Sequence, residues 1–193
     1  MQSQAFSDRD LIAQYLNGEE KAFETLMARY QQKVFTSIFL MVKDNELAND
    51  IFQDTFVKVI DTIRSGKYND EGKFVHWVMR IAHNLCVDHF RRAKRMPTTG
   101  ATDTFDVFNV LPLTDENAEA KFIRQQTCTV IQQLIDRLPA DQREVVILRH
   151  YSELSFKEIA EITNVSINTA LGRMRYALIN MRKVMAEKQI GLQ

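Results

Sequence analysis

Apolar residues recur along this chain at spacings of three and four, the period of a helix with one buried face. Ser7, followed by Asp8 and Asp10, makes an N-cap and an acidic first turn. A short helix is expected from there to about Leu16, with Leu11, Ile12, Tyr15 and Leu16 on one face and Asn17-Gly18 as the stop. Ala22, Phe23, Leu26, Met27, Tyr30, Val34, Ile38 and Met41 form the stripe of a long second helix, Glu19 to about Val42. Lys43-Asp44-Asn45 breaks it. A third helix, Glu46 to Ile63, turns Leu47, Ile51, Phe52, Phe56, Val59 and Ile63 inward. Ser65 to Gly72 is a loop, with glycines near both ends. A fourth helix, about Lys73 to Arg95, has Phe74, Trp77, Val78, Ile81 and Leu85 on its core side.

The pattern then lapses. Met96 to Ala120 holds two prolines, one glycine, five acids and neither Lys nor Arg. Such a segment is too poor in periodic apolar positions to fold by itself. Helical periodicity resumes from about Glu119 to Leu138, and Pro139 separates it from a helix running from Ala140 to about Tyr151. Ser155 to Tyr176 contains two helical patterns with a polar break at Asn164, and the last continues to about Lys188. Ile159, Ala160, Val165, Ala170 and Met174 are apolar where two crossing helices must touch. Asn164 suits a left-handed turn, and Ser166 an N-cap. This is helix-turn-helix spacing. The expected fold class is all-α: two small helical domains, 1–95 and 121–193, joined by a flexible acidic linker, 96–120, with the helix-turn-helix in the second.

Charge adds the next constraint. Lys and Arg total 25, as do Asp and Glu, so the net charge is zero, yet the charges are segregated. From Ser166 to Lys183 the only charged residues are Arg173, Arg175, Arg182 and Lys183. Asn168 and Thr169 lie near that helix's N-terminus, where base edges are met. An ordinary helical hairpin with a solvated basic face would share this pattern. The fourth helix carries Lys73, His76, Arg80, His83, Asn84 and Arg91 opposite its apolar stripe and ends in Arg91-Arg92-Ala93-Lys94-Arg95. Lys67 and Tyr68 lie in the loop before it. Cations beside an aromatic suit single-stranded nucleic acid. Asp50, Gln53 and Asp54 give the third helix an acidic surface suited to a protein partner, though core packing alone accounts for its spacing equally well.

Other chemistries lack their residues. His76, His83 and His89 have no ligand-set spacing, so no metal is expected. No phosphate loop or paired nucleophile and base appears, so the chain is not expected to be an enzyme and no cofactor is implied. Cys86 and Cys128 read as buried hydrophobes in a reducing compartment. The N-terminus has no signal-peptide pattern, and Val34 to Val42 is too short an apolar run to span a bilayer. A cytoplasmic location is expected.

Four motifs together carry a family resemblance: "DIFQDTFVKV", "FVHWVMRIAHNLCVDHFRR", "LPADQREVVILRHY" and the C-terminal helix-turn-helix. In this order they resemble bacterial RNA polymerase sigma factors of the sigma-70 family, in the two-domain extracytoplasmic-function (ECF) group. The resemblance covers about Asp8 to Arg95 and Phe122 to Met185. It implies promoter-specific initiation with core RNA polymerase. Asp50, Gln53 and Asp54 would dock on the polymerase clamp. Lys67, Tyr68, Lys73, His76, Arg80, Asn84, Arg91 and Arg92 would recognise and open the minus-10 element. Ser166, Asn168, Thr169, Gly172, Arg173, Arg175 and Tyr176 would read the minus-35 element. The acidic linker would thread toward the polymerase active site, and a separate anti-sigma factor would hold the protein inactive; regulation by a fused domain is not expected. Leu171, Gly172 and Tyr176 depart from the family's usual recognition-helix residues. The competing reading is a stand-alone helix-turn-helix repressor or activator, which has no need of the N-terminal domain's basic helix, aromatic loop and acidic helix.

Overall fold

The computed structural model describes residues 6–69, 72–95 and 130–187, and all regular structure among them is helical. The chain divides into two compact units, with the boundary between Phe105 and Asp106. That boundary falls within the stretch read as linker, which itself lies outside the described residues, as do Cys128, Asp70 and Glu71.

The first unit contains α1 (Asp8–Leu16), α2 (Glu20–Val42), α3 (Asn45–Arg64) and α4 (Phe74–Arg95). The Ser7 hydroxyl accepts from the Asp10 amide at 3.2 Å, and the Asp10 carboxylate accepts from the Ser7 amide at 3.1 Å. Two otherwise orphaned donors of α1 are thereby satisfied. The Ser7 hydroxyl also donates to the Asp10 carboxylate at 2.7 Å, and this bond, with the one from the Ser7 amide, holds the Asp10 carboxyl below its usual pKa. A second set of contacts ties α1 to α2. Asp8 accepts from Arg29 at 2.9 Å and from the Tyr30 hydroxyl at 2.6 Å. Burial, reinforced by that bond to Asp8, pushes the Tyr30 phenol up to about 12. Lys43 ends α2 in the left-handed region (φ 58°), and the Asp44 carboxylate caps α3 by accepting from the Leu47 amide at 2.9 Å.

α2 is the central element, packed against α1, α3 and α4. Three neighbours bury more of it than one stripe: Thr36, Ser37, Phe39 and Leu40 are buried along with Val34 and Ile38. The expected inward position of Leu16 does not hold. It stands exposed at the last turn of α1, where the buried Tyr15 ring beside it takes the contact with Phe23 of α2. Cys86 is a buried free thiol, pushed up to about 12 by burial, and so is unreactive near neutral pH.

The second unit contains α5 (130–136), α6 (Ala140–His150), α7 (Phe156–Thr163) and α8 (Ile167–Glu187). Arg143 donates to the carbonyls of Asp136 and Leu138 at 3.2 and 3.0 Å, closing the end of α5. Ser155 and Glu158 form a reciprocal cap on α7. Arg149 donates to the Leu154 carbonyl at 2.9 Å and lies 5.3 Å from the Phe156 ring centroid, fixing the α6–α7 turn.

Candidate nucleic-acid and polymerase interfaces

The break between α7 and α8 has the geometry its sequence implies. Asn164 is left-handed, with φ 54° and ψ 47°, and the Ser166 hydroxyl accepts from the Thr169 amide at 3.0 Å. Ile159 and Ala160 on α7 and Ala170, Met174 and Ala177 on α8 form the buried seam. Small residues at 160, 170 and 177 allow the backbones to approach. Replacing Asn164 by alanine should cost about 1 kcal/mol, the penalty of a Cβ in the left-handed region, while glycine should be neutral. Thermal unfolding of the two variants tests this; an equal loss in both would place the cost in the Asn164 side chain instead.

The outward face of α8 carries Ser166, Asn168, Thr169, Arg175, Tyr176, Arg182 and Lys183, all exposed, with no acid among them. Leu171 and Ile179 share that face. Arg173 does not. It turns toward α6, where its Nε lies 3.3 Å from Asp141 Oδ2 and its Nη1 3.8 Å from Glu144 Oε2. Two turns later Asn180 donates to Gln142 Oε1 at 2.8 Å. Arg173 and Asn180 thus fasten one edge of α8 to α6 beside the apolar seam. Sequence placed Arg173 with the reading residues because its partners, thirty residues away on α6, leave no trace in the local pattern.

In the first unit, Asp50, Gln53 and Asp54 are all exposed on α3, opposite Ala48, Ile51, Thr55, Phe56 and Val59. Val57, 56% exposed, stands one turn beyond Gln53 and Asp54 on the same face. Lys73, just before α4, and Arg80, Asn84, Arg91 and Arg92 on it are exposed. Lys67 is exposed in the preceding loop. The Tyr68 ring packs on Trp77, tilted by 43° with 4.4 Å between centroids, and meets Phe74 edge-on at 6.1 Å. Trp77, expected in the core, is only half-buried. It lies four residues after Lys73 and three before Arg80, so an aromatic surface sits among cations. That i, i+4, i+7 spacing was visible in sequence but was absorbed into the apolar stripe.

His76 and His83 correct the reading of α4 in the other direction. Expected on the cationic face, they are buried, at 9% and 7% exposure. The helix packs against both α2 and α3, so its buried arc runs from Phe74 through Val78, Ala82, Cys86 and Met79 to the two histidines. Arg80 and Asn84 begin the exposed face just beyond them. No cluster of three metal-ligating side chains occurs among the described residues.

Two family models match the chain. Sigma-70 region 2 matches residues 26–96, and sigma-70 region 4 matches residues 129–175. Between them they cover well over half of the 193 residues. This chain belongs to the sigma-70 family of RNA polymerase sigma factors, in its ECF group. It is 28% identical over 172 residues to the RNA polymerase sigma-H factor of Pseudomonas aeruginosa, an alignment covering 86% of this chain and 88% of that one. It is 28% identical over 176 residues to the ECF RNA polymerase sigma factor SigW of Bacillus subtilis, covering 89% and 93%. Two solved structures share the fold: CnrH in complex with the cytosolic domain of CnrY (TM-score 0.64, 22% identity, 93% and 97% covered) and the sigma factor RpoE with the anti-sigma factor NepR from Bartonella quintana (TM-score 0.65, 18% identity, 86% and 98% covered).

A sigma factor with regions 2 and 4 acts in promoter-specific transcription initiation, as a regulator of transcription. In these terms α3 and α4 fall in region 2, and α6, α7 and the first turns of α8 in region 4. No helix among the described residues is long and apolar enough to cross a membrane.

Proposed function

We propose that this sigma factor divides promoter recognition between its two units. Asp50, Gln53 and Asp54 dock on core RNA polymerase. Lys67, Tyr68, Lys73, Arg80, Asn84, Arg91 and Arg92, with the half-buried Trp77, recognise and open the minus-10 element. Ser166, Asn168, Thr169, Gly172, Arg175 and Tyr176 contact the minus-35 duplex. Arg173 serves this reading by position, holding α8 on α6. The observation that carries the proposal is the exposed face of α8 from Ser166 to Lys183, which holds cations and no acid and so suits a duplex with its phosphates and base edges. Charge complementarity supports the same assignment in region 2, where the acidic face of α3 suits a protein and the basic face of α4 a nucleic acid.

The activity belongs in the cytoplasm, with the polymerase. Because the two similar structures contain partner proteins, CnrY and the anti-sigma factor NepR, an anti-sigma factor is the proposed regulator here. The acidic segment 96–120 would run between the units as a nucleic-acid mimic in a positively charged channel.

Transcription from a promoter library with and without core polymerase tests the proposal. Initiation at a defined pair of elements, seen only with core present, is the expected result. Tight duplex binding by the protein alone, with no effect on initiation, would instead indicate a stand-alone regulator. Arg173→Ala distinguishes positioning from reading. It should lower the stability of the C-terminal unit by about 1 kcal/mol, the upper range for a partly exposed ion pair, and weaken binding to all minus-35 sequences alike. Arg175→Ala should leave stability within about 0.5 kcal/mol and weaken binding at α8's own site. A changed base preference in Arg173→Ala would return Arg173 to the reading residues.

A further inference from the structure

Gly172 has no structural reason to be glycine. The other described glycines, Gly18, Gly66 and Gly72, have positive φ, at 99°, 68° and 72°. Gly172 lies within α8, with no positive φ, and a Cβ built on it meets nothing within 4 Å. Alanine would fit there and favour the helix more. The gap lies on the outward side, between Asn168 and Tyr176, one turn before and one turn after it. Next to it stands Leu171, 43% exposed, at a position where burial offers it nothing.

We propose that Leu171 and Gly172 form an apolar notch that reads a thymine methyl group in the major groove. The inference rests on the assignment of α8 to the minus-35 duplex. The missing side chain at 172 lets the helix backbone come closer to the base edges than a Cβ would allow. At that range the Leu171 side chain packs on a C5-methyl, the only apolar group the major-groove edge of a base pair offers. Asn168, one turn before Gly172, is placed to bond an adjacent base edge, and Arg175, Arg182 and Lys183 supply phosphate contacts on the same face. A tight apolar contact on a neutral group also fits an α8 whose remaining cation near the notch, Arg173, is committed to α6.

The test uses reconstituted holoenzyme and a duplex carrying the minus-35 element selected from the promoter library. Each thymine is replaced in turn by deoxyuridine, which removes only the methyl group. One position should lose about four-fold in affinity, the worth of a buried methyl group. Leu171→Ala should bind the thymine and deoxyuridine duplexes equally. Gly172→Ala should raise the melting temperature of the protein while lowering affinity for the thymine duplex. A residue serving only stability cannot move the two readouts in opposite directions. A flat deoxyuridine scan, a selected element with no thymine on either strand, or discrimination surviving in Leu171→Ala overturns the methyl contact. Undiminished affinity in Gly172→Ala overturns the close approach. Loss of minus-35 dependence with no response to Arg175→Ala would instead count against the assignment of α8 itself.

Discussion

Phe74→Ala should destabilise the N-terminal unit by about 3–5 kcal/mol, the range for deleting a buried phenyl ring. Phe74 is 1% exposed at the first turn of α4. Its ring centroid lies 5.7 Å from that of Tyr30 on α2, 5.9 Å from Trp77 and 6.1 Å from Tyr68. The ring therefore joins three things: the central helix, the aromatic surface of α4 and the loop that precedes it. A loss of this size is a large part of the ~5–15 kcal/mol that stabilises a typical domain. The chain has one tryptophan, and it lies in this cluster, so Trp77 fluorescence in a denaturant titration reports the unit directly. The midpoint should fall sharply. Tyr68→Ala provides the contrast. Tyr68 is itself only half-buried, so its removal should cost stability less while impairing promoter opening. A midpoint shift in Phe74→Ala no greater than in Tyr68→Ala would mean that the cluster does not anchor the loop.

Helix ends were the most legible part of this fold, because caps are local chemistry. Ser7 with Asp10, Ser155 with Glu158 and the left-handed Asn164 all sit where their spacing places them. Faces were less legible. A stripe at helical spacing identifies the centre of a buried arc but not its width, which depends on how many helices pack against it. α4 meets two neighbours, so its arc widens to take in His76 and His83; α2 meets three and buries even Thr36 and Ser37. Trp77 shows the converse, since an apolar residue within a stripe can sit at the arc's edge and present a ring. Arg173 was illegible for a further reason. Its carboxylate partners are distant in sequence, and a cation on a reading helix looks the same whether it faces DNA or another helix.

Reversing charge on α3, with Asp50→Lys and Asp54→Lys together, should lower affinity for core polymerase by about 100-fold or more, the effect of losing a hot-spot cluster and adding repulsion. The fold should be unaffected. Both side chains are exposed, and surface substitutions of this kind shift stability by only about 0.5 kcal/mol. The buried positions of α3, Ile51, Thr55, Phe56 and Val59, lie on the opposite side; Thr55 already bonds the Ile51 carbonyl at 2.7 Å and needs nothing from the outer face. The double variant should therefore melt like the parent protein, fail to assemble with core and direct no initiation. Arg175→Ala should do the reverse, assembling normally but binding the minus-35 duplex weakly. The opposition matters because a general folding defect would weaken both functions in both proteins. Full assembly of the charge-reversed protein with core would remove α3 from the polymerase interface, leaving its acidic face as a solvated surface. Val57→Asp then separates charge from contact. If the exposed valine is part of the docked surface, burying a carboxylate there should weaken assembly although the acids around it are intact.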